Sequence, residues 1–292
     1  MELFAGVPTL DLFQYNVVDN FFSLTVATMG AAAIFFFLAR GTVAPKYQPA
    51  LMVSGIVVAL ACYHYFMIRM SWHGAYEFQA GVGGAAGSYV PSGKPFNDFY
   101  RYADWILTVP LLMVELVTVL ALAKAVARPL LAKLVIAAAL MIGLGYPGEV
   151  ISDPDQWSTR VGWGVASTIP FLYILYVLWV ELTRAITTQP KNVQTLLEVA
   201  RLVLLVTWAV YPIAYAFGGT PEALAAKSGR TGPEGSAITG ANGEVILQIG
   251  YAIADITAKA GFGLLIYFIA RAKSENLTES ESAEARASAT IA

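Results

Sequence analysis

Residues 244–271 read EVILQIGYAIADITAKAGFGLLIYFIAR, an apolar run with Lys259 near its middle and Asp255 four residues before it. A run of this length is long enough to cross a bilayer as a helix. An ammonium near the bilayer centre costs several kcal/mol by most estimates, about 2.5–3.5 on the lowest scale, so such a lysine needs a partner or a task. The i, i+4 spacing puts Asp255 and Lys259 on one helix face, so a partner is at hand. A desolvated lysine also gives up its proton readily and forms a Schiff base with a carbonyl compound. On this pair alone, a structural ion pair stitching a helix bundle is an equal alternative.

Composition sets the environment. The 292 residues are 57% hydrophobic and 13% charged, with mean hydropathy +0.61. A soluble domain carries roughly 25% charged residues, so the deficit points to a membrane protein. Net charge is −2, which gives no basic bias toward nucleic acid. The single cysteine, Cys62, excludes an internal disulfide and reads as a small packed hydrophobe. The N-terminus, MELFAGVPTLDLFQYN, lacks the positive region of a cleaved signal, so the first long apolar run is expected to be a true span.

Seven runs have the length a hydrocarbon core demands: Val17–Ala39, Pro49–Met70, Phe99–Ala123, Pro129–Val150, Arg160–Ala185, Val193–Phe217 and Glu244–Arg271. Backbone groups in lipid must be satisfied internally, and runs this long are helical, so the fold class is an all-α seven-helix membrane bundle. The connections after spans one, three and five hold Arg40, Lys46, Lys124, Arg128, Arg184 and Lys191, while those after two, four and six are acidic or mixed. The positive-inside bias therefore places the N-terminus outside and the C-terminus in the cytoplasm of a multi-pass cell-membrane protein. Residues 1–273 form a single domain. The tail, SENLTESESAEARASATIA from Ser274, reads as polar and disordered. The stretch Gly74–Pro95 has the composition of a hairpin, and Gly218–Gly243 that of an irregular connection.

The third span, RYADWILTVPLLMVEL from Arg101, holds Arg101, Asp104, Thr108 and Glu115. Asp104 and Thr108 are one turn apart, and Asp104 and Glu115 lie nearly on one face, about 16 Å apart along the axis. Lys259 and Arg101 balance Asp104 and Asp255, as a buried cluster requires. Glu115 has Leu, Met and Val around it and no cation nearby in sequence, so it is expected to keep its proton at rest. That order, with acceptors on the outer side of the lysine and a neutral acid on the inner side, reads as a proton relay. His64 in span two, a packing residue on the ordinary reading, is a candidate partner for Asp104.

The motifs RYADWxxTxPLL in the third span and DxxxK in the seventh resemble the microbial rhodopsins, and the similarity extends along all seven spans. WAVYPIAY in the sixth span is similar to the family's pocket segment. GYPGE in the fourth and GWGVASTIPFLYILYVLW in the fifth look like the xanthorhodopsin subgroup. The resemblance implies all-trans-retinal bound to Lys259 as a protonated Schiff base. It implies Asp104 as counterion and proton acceptor, Asp255 as second counterion, Thr108 beside Asp104, Arg101 as outward gate and Glu115 as proton donor. His64 matches the histidine that pairs with the counterion in proteorhodopsins and xanthorhodopsins. The implied pocket comprises Trp105, Leu112, Met141, Gly145, Ser167, Thr168, Trp208, Tyr211, Pro212 and Tyr215, with Leu112 at the tuning position where leucine accompanies green absorption. The triplet Asp104, Thr108, Glu115 is the proton-pump set, since related chloride and sodium pumps differ there.

Two positions depart from the bacteriorhodopsin pattern. Gly164 stands where a bulky tryptophan is found, and in the xanthorhodopsin subgroup a glycine there opens a window for a carotenoid antenna; the plain alternative is close helix packing. Leu247 stands where an acidic release group is found, so proton release is expected to come late. The resemblance implies a light-driven outward proton pump, not an enzyme, with the lipid bilayer and protons as partners and a homo-oligomer, pentamer or trimer, as its assembly. A sensory photoreceptor signalling through a partner protein is the second reading; a carboxylic donor such as Glu115 favours the pump. A channel or secondary transporter is disfavoured by the lack of inverted repeats and broken helices, and no Ser-His-Asp set, metal cluster or phosphate loop suggests a soluble-type enzyme.

Overall fold

The computed structural model describes residues 7–151, 153–218, 221, 224 and 240–291. Among the described residues, seven helices are long and apolar enough to cross a membrane. In chain order they are α1 (Leu12–Ala39), α2 (Gln48–Ala75), α3 (Tyr100–Leu120), α4 (Lys124–Glu149), α5 (Trp157–Thr187), α6 (Lys191–Gly218) and a seventh span in three parts. That span runs as α-helix over Gly240–Asp255, widens to a π-turn over Ile256–Gly261 and continues as α-helix over Phe262–Ile291. Consecutive helices pack side by side, and the seventh returns against α1 and α2 to close the bundle.

Each helix buries one stripe. On α1 the buried residues Tyr15, Val18, Phe22, Thr25, Met29, Ala33 and Phe36 recur every three or four positions. The opposite faces are also apolar: Phe13 and Leu38 are each 76% exposed and Ile169 68%. Large hydrophobic side chains outside, with Arg101, Asp104, Glu115, Asp255 and Lys259 buried inside, make sense only if lipid is the solvent.

Asp11 caps α1 through a reciprocal box, its carboxylate accepting from the Gln14 N–H at 2.7 Å while the Gln14 side chain accepts from the Asp11 N–H at 2.9 Å. The Gly74–Pro95 stretch forms an antiparallel hairpin, β2 (Tyr76–Gln79) with β3 (Ser88–Pro91). A third strand, β1 (Leu10–Asp11), pairs with β3 in the register Leu10↔Tyr89, and sequence patterning does not reveal it because two residues carry no periodicity. The Tyr15 ring stacks on Tyr89 at 3.6 Å between centroids, pinning the sheet to α1. The end of the bundle under this sheet is called the sheet end below, and the other the tail end.

Three expectations need adjustment. Most helices outrun their apolar cores by several residues, because capping and polar flanks extend a helix past the lipid-matched segment. The third is shorter: α3 stops at Leu120, where Ala121 takes a left-handed conformation with φ 52°. The tail from Ser274 continues the seventh helix to Ile291 instead of lacking structure; it has no Gly or Pro, and its Ala, Glu, Leu and Arg favour helix. The connection before the seventh span lies mostly outside the described residues, including Glu222, Lys227, Arg230 and Glu234.

Candidate functional site

Lys259 sits inside the π-turn, 2% exposed. A π-turn inserts an extra residue into the helical ladder and is a frequent mark of functional sites. Lys259 Nζ lies 2.5 Å from Asp104 Oδ2 and 2.9 Å from Asp255 Oδ1. The two carboxylates are held differently. Asp255 also accepts from the Tyr65 hydroxyl at 2.7 Å and the Tyr211 hydroxyl at 2.6 Å. Asp104 has Thr108 Oγ1 at 3.3 Å from its Oδ2, and its Oδ1 has no hydrogen bond among the described residues. Thr108 is closer to the Asp104 backbone carbonyl, at 2.9 Å.

His64 faces Asp104 from α2, with Nδ1 3.4 Å from Asp104 Oδ1. The same nitrogen is 3.0 Å from the Leu60 carbonyl, the shorter contact. The ring as placed therefore spends its Nδ1 on the backbone and touches the carboxylate at ion-pair distance, not in a good hydrogen bond.

Arg101 does not join this cluster directly. Its guanidinium pairs with Asp98 at 3.2 Å and donates a short hydrogen bond to Gln248 Oε1. It stands over the Tyr251 ring at 4.9 Å. The balanced foursome expected from sequence is thus a lysine between two carboxylates, with the arginine a step toward the sheet end.

Glu115 is fully buried toward the tail end. Its Oε1 lies 2.6 Å from Ser54 Oγ, and Oε2 has no partner among the described residues. Ser54 Oγ is also 3.1 Å from the Ala50 carbonyl. The single Ser54 hydroxyl proton is therefore shared between Glu115 Oε1, the shorter contact, and the Ala50 carbonyl.

On the other side of Lys259 opens a cavity of about 290 Å³. It is lined by Trp105, Leu112, Met141, Gly145, Ser167, Thr168, Trp208, Tyr211, Pro212 and Tyr215, and Gly164 stands in its wall. Tyr102, Phe171 and Tyr251 add further rings. Ser167 donates to the Met141 carbonyl at 2.7 Å, so its polar atom is turned into backbone. Beside Gly164, Val161 and Val165 are 41% and 60% exposed, so the cavity approaches the lipid face between α5 and α6. A Cβ on Gly164 would meet Tyr215 Cε1 at 2.7 Å, and one on Gly148 would meet the Tyr215 hydroxyl at 1.9 Å. The two glycines form the slot that seats Tyr215.

Sequence reasoning gave no role to Ser54, Gln248 or Tyr251, and none to Tyr65 despite its place beside His64. Gln248 lies seven residues before Asp255, two turns along the same face, which is a signal available in the sequence. The roles of Ser54 and Tyr65 depend on which face of α2 turns inward, which one helix read alone does not disclose.

Residues 16–273 match the family described as bacteriorhodopsin-like protein. The chain is 31% identical to the green-light absorbing proteorhodopsin of Gamma-proteobacterium EBAC31A08, covering 93% of both chains. It is 29% identical to bacteriorhodopsin of Halobacterium salinarum, covering 84% of this chain and 80% of that one. Among solved structures, xanthorhodopsin, described as a light-driven ion pump with dual chromophore, superposes with TM-score 0.82 at 51% identity over 93% of this chain and 99% of that one. A thermophilic rhodopsin gives 0.81 at 50% identity, over 92% and 98%. With seven spans, a buried lysine between two carboxylates and this similarity over nearly its whole length, the chain belongs to the bacteriorhodopsin-like proteins, the microbial rhodopsins of the cell membrane, which are light-driven transporters and not enzymes.

Proposed function

We propose that this protein is a light-driven outward proton pump with all-trans-retinal attached at Lys259. The observation that carries the reading is Lys259 Nζ, held within 2.5 and 2.9 Å of two carboxylates at the end of an aromatic-lined cavity. The lining fits the group: flat rings flank a conjugated chain, and Gly145 and Gly164 leave width. When bound, retinal supplies light absorption and, as a protonated Schiff base on Lys259, a photon-triggered change in the proton affinity of that nitrogen.

The chain's own residues then set the direction. Asp104 takes the proton from Lys259 Nζ, because its Oδ1 is without a hydrogen bond among the described residues while the oxygens of Asp255 are committed to Tyr65, Tyr211 and Lys259. Asp255 stays as the second counterion. Thr108 and His64 orient Asp104. Glu115, fully buried and with Oε2 unpartnered among the described residues, returns a proton to Lys259 Nζ from the tail end, which this reading places in the cytoplasm. Arg101 stands on the exit side, which the sheet end represents. A homo-oligomer, trimer or pentamer, in the lipid bilayer completes the reading.

A carotenoid antenna against Gly164 belongs to the same proposal. It is supported by the wall between Val161 and Val165, where the Tyr215 ring fills the glycine slot next to lipid, and by the dual chromophore of the similar xanthorhodopsin.

The test is light-induced pH change in an unbuffered suspension of cells expressing the chain with added all-trans-retinal. External acidification abolished by a protonophore is expected. Coloured cells with no pH change would refute pumping and favour a photosensor.

A further inference from the structure

On the sheet side of Asp104, Arg101, Gln248 and Glu244 form a continuous run of polar groups. Arg101 and Gln248 are 3% and 1% exposed. The guanidinium donates to Gln248 Oε1, and Gln248 Nε2 donates to Glu244 Oε1 at 2.7 Å. Phe22 and Tyr65 wall the guanidinium, each ring centroid 5.9 Å from it. Glu244, in the first turn and a half of the seventh span, is half-buried. A buried amide that joins a buried cation to a half-buried carboxylate has a fixed orientation, because each of its two ends is committed.

We propose that Glu244 is the carboxylate through which the proton leaves this protein, with Gln248 as the positioning residue that ties it to Arg101. This rests on the proton-pump reading. The proton starts on Asp104, and Arg101 and Gln248 occupy the run that leads to Glu244, so the transfer is not direct. Water beside Arg101 carries the proton. Asp104 returns to carboxylate, Glu244 becomes the carboxylic acid, and Glu244 then releases the proton to the outer solution.

Asp98 is the competing carboxylate, since it touches Arg101. Protonating Asp98 would break that ion pair at the start of α3. Protonating Glu244 leaves the Arg101 contacts to Asp98 and Gln248 in place. Tyr76 faces the same carboxylate from β2: burial first, and the negative charge of Glu244 second, raise its phenol above the ordinary range. A proton on Glu244 relieves that repulsion.

The experiment uses the retinal-loaded full chain, with time-resolved infrared detection of carboxylic C=O stretching and a pH-sensitive dye in the medium. The unaltered protein should show a C=O band that rises late, as Asp104 reionises, and decays as the dye reports release. Glu244→Gln should lose that band and slow release at least tenfold. Gln248→Leu should keep the band and delay its rise severalfold. Should Glu244→Gln fail to bind retinal, Glu244→Asp decides: release persists with the band moved in frequency, and an unmoved band overturns the proposal. A band retained in Glu244→Gln, or lost in Asp98→Asn instead, overturns it too. An unaltered protein that binds retinal but moves no protons overturns the pump reading and this proposal together, which separates the two failures.

Discussion

Lys259, Glu115 and Ser54 each sit where a single substitution has a measurable readout. Lys259→Ala removes the proposed attachment atom, so the purified protein incubated with retinal and washed should be colourless; a retained visible band would refute the attachment. Glu115→Gln keeps colour, because the residue is not among those lining the cavity, and should slow reprotonation of Lys259 Nζ by at least tenfold in flash kinetics. Ser54→Ala should act in the same sense. It removes the hydroxyl that donates to Glu115 Oε1 at 2.6 Å. Losing a hydrogen bond worth about 1 kcal/mol to the ionised acid leaves Glu115 holding its proton more firmly, and reprotonation should slow roughly fivefold. An unchanged rate in Ser54→Ala would mean that Ser54 does not assist proton loss from Glu115.

The elements carry constraints that no single side chain reveals. The C-terminus of α3 bends through Ala121 at φ 52°, a conformation costing an L-residue roughly 1–2 kcal/mol. Ala121→Gly removes that strain and adds about 0.4–1 kcal/mol of unfolded-chain entropy, so a net gain of about 0–1.6 kcal/mol is expected in thermal unfolding. Gly148→Ala has the opposite sign. Its Cβ would meet the Tyr215 hydroxyl at 1.9 Å, so the ring must leave its slot, at roughly 1–3 kcal/mol, and the visible band should move because Tyr215 lines the cavity. Helix existence and order were legible from apolar run length, because a hydrocarbon core admits few alternatives. Strand β1 was not legible, because its pairing with β3 is a contact across nearly eighty residues of chain between segments too short to show a period.

At the scale of the molecule, the bundle closes through the seventh span against α1 and α2, and the charged groups fall in line along its interior. On the proposed reading Leu247 stands where the resemblance implies an acidic release group, so release to the medium should follow uptake; pH-dye traces with release first at neutral pH would contradict this. Hydroxylated carotenoids added to the retinal-bound protein should appear in the excitation spectrum for retinal emission, and no transfer from any of several would count against the antenna. The sequence by itself determined the class, the seven spans, and which ionisable residues lie within them, because in a chain that is 13% charged every intramembrane ion stands out against its surroundings. Only the tertiary structure decided the partnerships: that Asp255 is held by Tyr65 and Tyr211 while Asp104 keeps an oxygen free of hydrogen bonds among the described residues, that Ser54 meets Glu115, and that Arg101 turns to Gln248. Helical periodicity tells which residues share a face of one helix. Which face of one helix meets which face of another depends on the packing of all seven.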